Sequence, residues 1–499
     1  MNKPLPFALL IVIFILGSCA VSNKNYNPGK KYSRQQLQQD YSLLRNILEQ
    51  KHPALYWYTP KDSMNFYFDS LYNNIADSMT ELQFGWQVLA PLTQKIHCGH
   101  TSFGMSSHWD KYIKDKIIPS FPLYVRIWGD TMIVTGNLNT KDSIIKRGTL
   151  ITSINGMSNQ KIVGKLFQYM PLDGYSKNVN YLRLSTNFPF YHRNVFGIYK
   201  NYRVGYIDST GKEKTVLLPM FNLLSDSATK KSGIDSSSKK RFKLTKKEKR
   251  KNARSMVIDS SINTAIITLN TFTNGEGRHL RFFIKHSFKK IKQLQIKNLI
   301  LDLRLNGGGD VNMSVLLTKY LRSTPFKVSD TAYAIAKSLY PYKKYIKPGF
   351  IDNLSLRFSS KRKKDGFYHF GYLERHWFKP KINDHFNGKV YILTSGLTFS
   401  ASSIFCNAVK GQTNVQIAGE ETGGGWYGNS GLLIPDIILP VTKLKVRLPL
   451  FKIVQFNHVQ LKGRGVIPDI SILPSVESIR QNIDKKMIFI KSLIKGTIN

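Results

Sequence analysis

Cysteine is scarce in this chain, with three residues among 499. Cys19 belongs to the N-terminal segment described below, so only Cys98 and Cys406 remain in the rest of the sequence. Two cysteines cannot build the disulfide framework that holds small secreted domains together. They leave two alternatives, a single bridge between them or two buried free thiols.

Acidic residues are also few, because 31 Asp and Glu stand against 73 Lys and Arg, a formal net charge of +42. In a cytosolic protein such an excess would indicate nucleic-acid binding. The basic residues are spread along the chain and the N-terminus indicates export, so we predict no nucleic-acid partner. An anionic envelope surface or a merely solvated basic surface can explain the charge. A lipoprotein that binds polyanions or the envelope surface is therefore one alternative function.

Long apolar runs are absent except near the N-terminus, where one extends from Phe7 to Leu16 behind Lys3. This run is too short to span a bilayer as a lasting helix. The following Leu-Gly-Ser-Cys resembles the lipobox of bacterial lipoproteins, in which cleavage leaves the cysteine as a lipid-bearing first residue. We therefore predict a signal peptide over 1–19, lipidation of Cys19 and a cell-envelope location on the periplasmic or outer-membrane side. The alternative is an ordinary signal peptide that happens to carry a cysteine.

The spacing of apolar residues divides the first half of the remaining chain into a helical region and a β region. After a polar tether over 20–33, apolar residues recur every three or four positions and predict a helical domain over 34–105. Short alternating strands predict a β domain over 115–221, and the tight turn at Asn155-Gly156 makes it resemble a PDZ-like module. Such modules bind an extended peptide at an open sheet edge. The Ser- and Lys-rich stretch 222–254 is typical of a linker or insertion.

The second half predicts an α/β core over 255–475, followed by a C-terminal helix over 476–499. Amphipathic helices there alternate with short apolar runs such as KNLILDL and KVYILT, which are typical of strands buried on both faces. The aromatic and basic stretch 326–387 matches no pattern that we can interpret. The fold class predicted for the whole chain is multidomain α/β.

A cluster of hydroxyl side chains, TSGLTFSASS, connects one of these buried strands to a predicted helix that begins near Ser400. A serine at this point can be an N-cap, worth about 1 kcal/mol. It can also be a nucleophile, because helix N-terminal amides stabilise developing negative charge. The sequence around Ser400 alone does not separate the two.

A second strand, in DLRLNGGGD, ends in three consecutive glycines, Gly307–Gly309. Glycine-rich strand ends allow several backbone N–H groups to converge on an anion. A phosphate cradle is the competing interpretation, but the chain has neither the Lys-Ser/Thr of a P-loop after these glycines nor a GxGxxG motif. Backbone donors from the two strand ends would together make an oxyanion hole.

Four motifs, DLRLNGGG, TFSAS, GEETGGG and GRGVIPD, occur in this order and resemble the S41-type serine peptidases. This family contains the C-terminal-processing, tail-specific and tricorn-core peptidases. The resemblance covers most of 255–475 and implies an α/β core of the ClpP/crotonase type. It implies a serine endopeptidase that cleaves peptides or protein tails without a cofactor, and the N-terminal segment predicts that this enzyme is exported.

The family's Ser-Ala-Ser/Ala pattern matches the segment that begins at Ser400. The resemblance therefore makes Ser400 the nucleophile and the Ala401 amide one oxyanion donor, with Gly307 or Gly308 supplying the second. Ser403 departs from the pattern, because the family often has an acidic residue there.

The general base differs between branches of the family. One branch uses a Lys within its GE-x-T-x-G-K-G-like segment, but Gly425 occupies that position here and excludes a Ser–Lys dyad. The tricorn-like branch uses a His followed by Thr, which makes His100 the base. His97, Cys98 and His100 could instead be structural or bind a metal. With no HExxH motif and no carboxylate nearby in sequence, we predict no metal site.

A histidine base usually needs an acceptor that fixes its tautomer. In the tricorn-like branch this Glu precedes the Gly-Val-x-Pro-Asp motif, and Lys462 stands there instead. Glu420, Glu421 or a backbone carbonyl could orient the ring of His100, or Lys462 could itself act as a base if burial lowered its pKa. An impaired site would leave a peptide-binding scaffold of the same fold, which is the second alternative function.

Overall fold

The computed structural model describes residues 26–114, 116–222, 245–275, 278–457, 459 and 461–497. The predicted signal peptide, the lipidation site at Cys19 and most of the basic segment 222–254 lie outside these residues. The described chain combines helices with several sheets, which confirms the predicted multidomain α/β class. Within these ranges, no helix has both the length and the apolar character needed to cross a bilayer.

A six-stranded central sheet organises the C-terminal half. Its strands, in spatial order, are Arg254–Asp259, Thr264–Leu269, Asn298–Asp302, Lys389–Thr394, Val415–Gly419 and Ile470–Ser471. The first pair is antiparallel and all other pairs are parallel. The two middle strands are the predicted apolar runs, and because they are parallel neighbours their carboxyl ends meet at one edge of the sheet. The glycine-rich stretch and the hydroxyl-rich stretch therefore start side by side.

Helices cover both faces of this sheet, as the alternation of side chains along a strand requires. Leu299 and Leu301 face a core shared with three helices, whereas Ile300 faces the C-terminal helix. The three helices are Leu280–Gln293, Val311–Leu321 and Ala401–Val409.

The single C-terminal helix predicted over 476–499 is wrong in detail. The structure has two helices, Val476–Arg480 and Lys485–Lys495. Asn482 interrupts them with a positive φ of 57°, and the carboxylate of Asp484 accepts a hydrogen bond from the N–H of Met487 at 3.1 Å as a new N-cap.

An antiparallel sheet with its own core follows the N-terminal helices. Its strands, in spatial order, are Leu123–Trp128, Thr131–Asn137, Leu150–Ile154, Asn201–Ile207 and Glu213–Pro219, and the short strand Met157–Ser158 pairs with the middle one. The predicted tight turn is present, since Asn155 and Gly156 both have positive φ. Helices Asn159–Phe167 and Asn178–Phe196 pack on this sheet. Its assignment as a PDZ-like module stays a prediction.

The N-terminal helices do not have a core of their own. They are Arg34–Lys51, Lys61–Asn73, Glu81–Phe84, Ala90–Lys95 and Ser107–Ile113, with a π-helical turn over Gly85–Leu89. Leu44 and Leu92 from these helices share one buried cluster with Leu339, Val446 and Phe451 from the C-terminal half. The loop after Lys95 is thereby brought to the C-terminal half of the chain.

The stretch 326–387 adds short elements to two small sheets. One sheet has the order Lys361–Arg362, Tyr368–His369, Ser329–Ala334, Phe451–Gln455 and Gly428–Leu432, and the other has the order Ile346–Lys347, Asp436–Ile438, Lys445–Arg447 and Phe103–Gly104. The remaining elements are the strand pair Lys31–Tyr32 and Met79–Thr80, the helices Lys246–Ala253, Gly349–Ser359 and Gly371–Arg375, and the 3-10 turns Ser260–Ile262 and Lys343–Tyr345. The strand Gly428–Leu432 reaches the carboxyl edge of the central sheet.

Candidate active site

Ser400 lies between the buried strand Lys389–Thr394 and the helix Ala401–Val409. Its backbone has φ 56° and ψ −125°, a conformation that costs energy for any residue with a side chain. Its hydroxyl makes no capping hydrogen bond to the helix, so the interpretation of Ser400 as a simple N-cap is not supported. A strained serine at a strand-to-helix turn instead presents its hydroxyl outward.

Two glycine motifs pack directly against this turn. A Cβ atom at Gly308 would lie 2.8 Å from Ser400 Cβ, and one at Gly424 would lie 2.8 Å from the Ser400 backbone nitrogen. Both distances are shorter than real side-chain contacts. Gly308 and Gly424 are therefore needed for the close packing of three chain segments around Ser400.

The predicted oxyanion donors differ in availability. The N–H of Gly308 donates to Asn306 Oδ1 at 3.0 Å, so it is already engaged. Among the described residues, no hydrogen bond engages the N–H groups of Gly307 and Ala401. A Cβ atom at Gly307 would meet no atom within 4 Å, so open space adjoins it. The geometry favours Ala401 and Gly307 over Gly308 as donors.

His100 and Ser400 converge on the same small space beside Gly431. A Cβ atom at Gly431 would lie 2.7 Å from His100 Nε2 and 3.0 Å from Ser400 Oγ. His100 is 5% exposed, and its ring lies tilted against Phe399 with centroids 4.9 Å apart. Neither ring nitrogen has a hydrogen-bond partner, so Ser400 and His100 are not hydrogen-bonded to each other in this structure. Such bonds are often long without substrate and shorten when substrate binds.

Asp173 lies on the other side of the imidazole. Its Oδ1 is 3.8 Å from His100 Nδ1, and both side chains are buried. The same Oδ1 accepts a hydrogen bond from the N–H of Gly99 at 2.6 Å. His97 has a structural role here, because its Nδ1 lies 2.7 Å from the carbonyl oxygen of Gly174 and its own carbonyl accepts the Gly174 N–H at 2.9 Å. The loops that carry His100 and Asp173 are thus joined to each other.

The third groups considered from the sequence are engaged elsewhere. Glu420 lies 3.3 Å from Arg126 and 3.4 Å from Lys486 in ion pairs. Glu421 accepts hydrogen bonds from Arg464 at 2.7 Å and from the N–H of Gly465 at 2.7 Å. The Lys462 side chain is exposed, with its ammonium 5.3 Å from the ring centre of Tyr427.

The structure places Asp173 beside His100, whereas Glu420, Glu421 and Lys462 have other neighbours. Sequence reasoning missed Asp173 because it lies 74 residues after Gly99, in a turn of another region, and belongs to no motif.

Burial sets the charges of this pair. Burial, together with the positive charges of Arg447 and Arg183, lowers the pKa of His100 to about 3, so the imidazole is neutral at neutral pH. Burial raises the pKa of Asp173 to about 6, although the nearby N–H groups of Gly99 and Gly425 favour its ionised form. At pH 7 a neutral proton acceptor therefore stands beside a carboxylate that is mostly ionised.

Cys98 lies beside the same pair. It and Cys406 are both buried free thiols, so the structure has no bridge between them. The Cys98 sulfur is 2.9 Å from Ser430 Oγ. Ligand atoms of Cys98, His100 and Asp173 all lie within 4.8 Å of one another. The expectation that no carboxylate accompanies this Cys-His pair holds along the sequence but is wrong in three dimensions.

A cavity of about 1160 Å³ adjoins the site. It is lined by Gly99, next to His100, and by the guanidinium groups of Arg183 and Arg447. Its other walls mix aromatic residues such as Trp86 and Phe190 with aliphatic and polar residues. A cavity of this size can accommodate several residues of an extended peptide.

A hydroxyl beside a neutral imidazole, with a carboxylate behind the ring and backbone N–H groups at the strand ends, is the arrangement that serine hydrolases use. Residues 263–472 match the family model described as Peptidase family S41. This match covers the C-terminal core of the chain and supports a serine-type peptidase. No curated protein matches the chain in sequence.

Solved structures of CPAF share this fold at low sequence identity. Mature CPAF complexed with lactacystin is 13% identical, covering 93% of this chain and 99% of its own, with a TM-score of 0.59. A second structure of mature CPAF is 14% identical, covering 93% and 98%, with a TM-score of 0.58. The photosystem II D1 C-terminal processing protease is 14% identical, covering 89% and 96%, with a TM-score of 0.42. The CPAF likeness shows a common fold and no more.

Proposed function

We propose that the chain is an exported serine endopeptidase that cleaves peptides or protein tails by acyl transfer through Ser400. His100 is the general base, and Asp173 is the carboxylate that orients and stabilises it. One observation carries the proposal, namely the convergence of Ser400 Oγ and His100 Nε2 on Gly431 while Asp173 lies 3.8 Å from Nδ1. One nitrogen of the imidazole thus faces a nucleophile and the other faces a carboxylate, as proton transfer from serine requires.

In the first half of the reaction, Ser400 Oγ attacks the carbonyl carbon of the scissile peptide bond while His100 Nε2 accepts the hydroxyl proton. The N–H groups of Ala401 and Gly307 donate hydrogen bonds to the oxyanion that forms. The tetrahedral intermediate then collapses, and the imidazolium returns its proton to the departing amine. An ester between Ser400 and the acyl half of the substrate remains.

In the second half, water attacks this ester and again transfers a proton to His100 Nε2. Collapse of the second tetrahedral intermediate releases a carboxylic acid, and the proton returns to Ser400 Oγ. Each charged intermediate needs Asp173, because burial and the nearby guanidinium groups of Arg183 and Arg447 oppose a positive imidazole.

The test is labelling with a fluorophosphonate, which reacts covalently with activated serine hydroxyls. The chain from Ser22 onward should label, and Ser400→Ala and His100→Ala should not. Ser402→Ala is the matched control, because Ser402 Oγ is buried nearby without a hydrogen-bond partner. Peptide hydrolysis should fall by roughly 10³-fold or more in Ser400→Ala. Hydrolysis that survives this substitution would refute the proposal.

A peptide-binding scaffold without catalysis is the second candidate. It is favoured by the absence of hydrogen bonds to either ring nitrogen of His100, because a catalytic histidine needs such bonds to Ser400 and Asp173. A folded wild-type chain that binds peptides but does not label with the fluorophosphonate would establish this function instead.

Export and a lipid anchor at Cys19 are supported by the N-terminal segment alone. We expect labelled palmitate to be incorporated into the full chain in a bacterial host, and not into Cys19→Ala. Equal incorporation into both would exclude this anchor.

A further inference from the structure

Three potential metal ligands of different chemistry cluster beside the proposed nucleophile. Cys98, His100 and Asp173 are each at least nine-tenths buried, and their ligand atoms lie within 4.8 Å of one another. His100 Nδ1 and Asp173 Oδ1 are 3.8 Å apart. Zinc bonds to nitrogen, oxygen and sulfur are about 2.0–2.3 Å long, so tetrahedral ligands lie roughly 3.3–3.8 Å from each other. The cluster therefore needs only small side-chain movements to enclose an ion.

The same groups are poorly satisfied by the protein itself. Both ring nitrogens of His100 and the Oδ2 atom of Asp173 are buried without a hydrogen-bond partner. A buried polar atom left unpaired destabilises the fold, and several at one place call for a physical explanation. A bound cation would supply a partner to the imidazole and the carboxylate, and Cys98 would exchange its contact with Ser430 for the ion.

We propose that Cys98, His100 and Asp173 bind Zn²⁺ and that the bound ion switches the peptidase off. Binding is written Zn²⁺ + Cys98–SH → Zn²⁺–S⁻–Cys98 + H⁺, with the proton released to solvent. Thiolate and carboxylate contribute two negative charges and the imidazole none, so the occupied site is neutral. The fourth position is left to water.

Charge and chemistry favour zinc over the hard cations. The guanidinium groups of Arg183 and Arg447 oppose any cation here, so binding needs the strong bond that a thiolate gives. Mg²⁺ and Ca²⁺ prefer six or more oxygen ligands, which this site lacks. The cavity is lined by Gly99, between Cys98 and His100, and so lies next to the proposed ligands.

Inhibition follows from the tautomer of His100, and this half of the inference rests on the proposed function. Catalysis needs the proton on Nδ1, facing Asp173, so that Nε2 can accept the proton of Ser400. A metal on Nδ1 takes that lone pair and leaves the proton on Nε2. The base then cannot accept a proton from serine, and Asp173 is also occupied by the ion.

Cobalt substitution tests the site without relying on activity. We would titrate the metal-free chain from Ser22 onward with Co²⁺ and record the near-ultraviolet charge-transfer band that reports a cobalt–thiolate bond. The band should appear at one ion per chain and disappear in Cys98→Ala. Cys406→Ala is the matched control, because Cys406 is also a buried free thiol, and it should keep the band. Cys98→Ser replaces Cys98→Ala if the latter does not fold.

Equilibrium dialysis with Zn²⁺ gives the second measurement. Cys98→Ala and Asp173→Ala should each weaken zinc binding at least tenfold. No thiolate band in the wild type, or an equal band in Cys98→Ala, would overturn the metal site.

The switch itself is tested with the fluorophosphonate. Zinc should suppress labelling of Ser400 in the wild type, EDTA should restore it, and in Cys98→Ala the ratio of labelling with and without zinc should stay near one. Zinc that binds at the site without reducing labelling would overturn the inhibitory role. A metal-free chain that never labels would refute the proposed function, while the cobalt spectrum would still decide whether the site exists.

Discussion

His100 is buried next to two arginines, and a proton on its imidazole is therefore unfavourable. Burial first, and then Arg447 and Arg183, lower the pKa of its ring to about 3. A base of this kind can take a proton from Ser400 only if a negative group stabilises the imidazolium. Asp173 is the carboxylate that can do so, because its Oδ1 lies 3.8 Å from Nδ1. Asp173 is thus a positioning residue that acts through His100.

We expect Asp173→Asn to lower kcat for peptide hydrolysis by about 10²–10⁴-fold, because an amide cannot stabilise the charged ring and can fix the wrong tautomer. KM should change little, since Asp173 is buried behind His100. Glu421→Gln is the matched control, because this carboxylate is paired with Arg464. An Asp173→Asn enzyme within threefold of the wild type would exclude this role.

The pH profile separates this role from a purely structural one. Burial raises the pKa of Asp173 to about 6, so its negative charge is lost on acidification through pH 6, above the range of an ordinary carboxyl. His100 stays neutral there, because its own pKa is lowered to about 3. The acid limb of kcat/KM should therefore lie near pH 6 in the wild type and vanish in Asp173→Asn. An unchanged limb in the variant would assign it to another group.

At this scale, the sequence predicted the residues that belong to short motifs and missed those that do not. Ser400 and His100 stand in recognisable segments, and the structure brings them to one space. Asp173 reaches His100 through hydrogen bonds between two loops, from Gly99 to Asp173 and between His97 and Gly174. Contacts of this kind leave no pattern in the local sequence, so Glu420 and Glu421 were the better candidates before the structure.

Among the secondary-structure elements, the strand Gly428–Leu432 determines how much space lies between Ser400 and His100. It pairs with the strand Phe451–Gln455 and places Gly431 against both reactive atoms. Because Gly431 has no side chain, Ser400 Oγ and His100 Nε2 face each other and a substrate without obstruction. The φ of Gly431 is not positive, so a larger residue would be excluded by space rather than by backbone strain.

We expect Gly431→Ala to reduce fluorophosphonate labelling and kcat by at least about 10²-fold, since its methyl group would lie 2.7 Å from Nε2 and displace the ring. Gly164→Ala is the control, because a Cβ atom at Gly164 meets nothing within 4 Å. Circular dichroism should show both variants folded. Normal labelling of Gly431→Ala would mean that the reactive atoms do not meet at this strand.

The elements that carry the site could be predicted, whereas those around it could not. The strands Asn298–Asp302 and Lys389–Thr394 are uninterrupted apolar runs because they are buried on both faces, and such runs are recognisable. The strands Ile346–Lys347, Lys361–Arg362 and Tyr368–His369 have two residues each. Two residues cannot display a period, and their pairing depends on partners far along the chain.

At the scale of the whole molecule, one hydrophobic core is shared by the N-terminal helices and the C-terminal half of the chain. Asp40, on the first helix, is fully buried and accepts hydrogen bonds from the N–H groups of Val441 at 2.9 Å and Thr442 at 2.8 Å. The hydroxyl of Thr442 donates to the same carboxylate at 2.7 Å. These partners lie about 400 residues away in sequence, so the local pattern of the helices could not predict the contact. His100 belongs to the N-terminal side of this core and Ser400 belongs to the C-terminal side. The site therefore forms only when the two sides are packed together.

We therefore expect Asp40→Ala to lower the free energy of unfolding by about 2–4 kcal/mol, because it leaves buried N–H groups without an acceptor. Asp69→Ala is the control, since that exposed carboxylate pairs with Arg45 at the surface and should change stability by less than about 1 kcal/mol. In a denaturant titration of Asp40→Ala, loss of fluorophosphonate labelling should coincide with the change in tryptophan fluorescence at a lower midpoint than in the wild type. Labelling that persisted after the N-terminal helices had unfolded would show that Ser400 does not need the side of the molecule that supplies His100, and would contradict the catalytic arrangement itself.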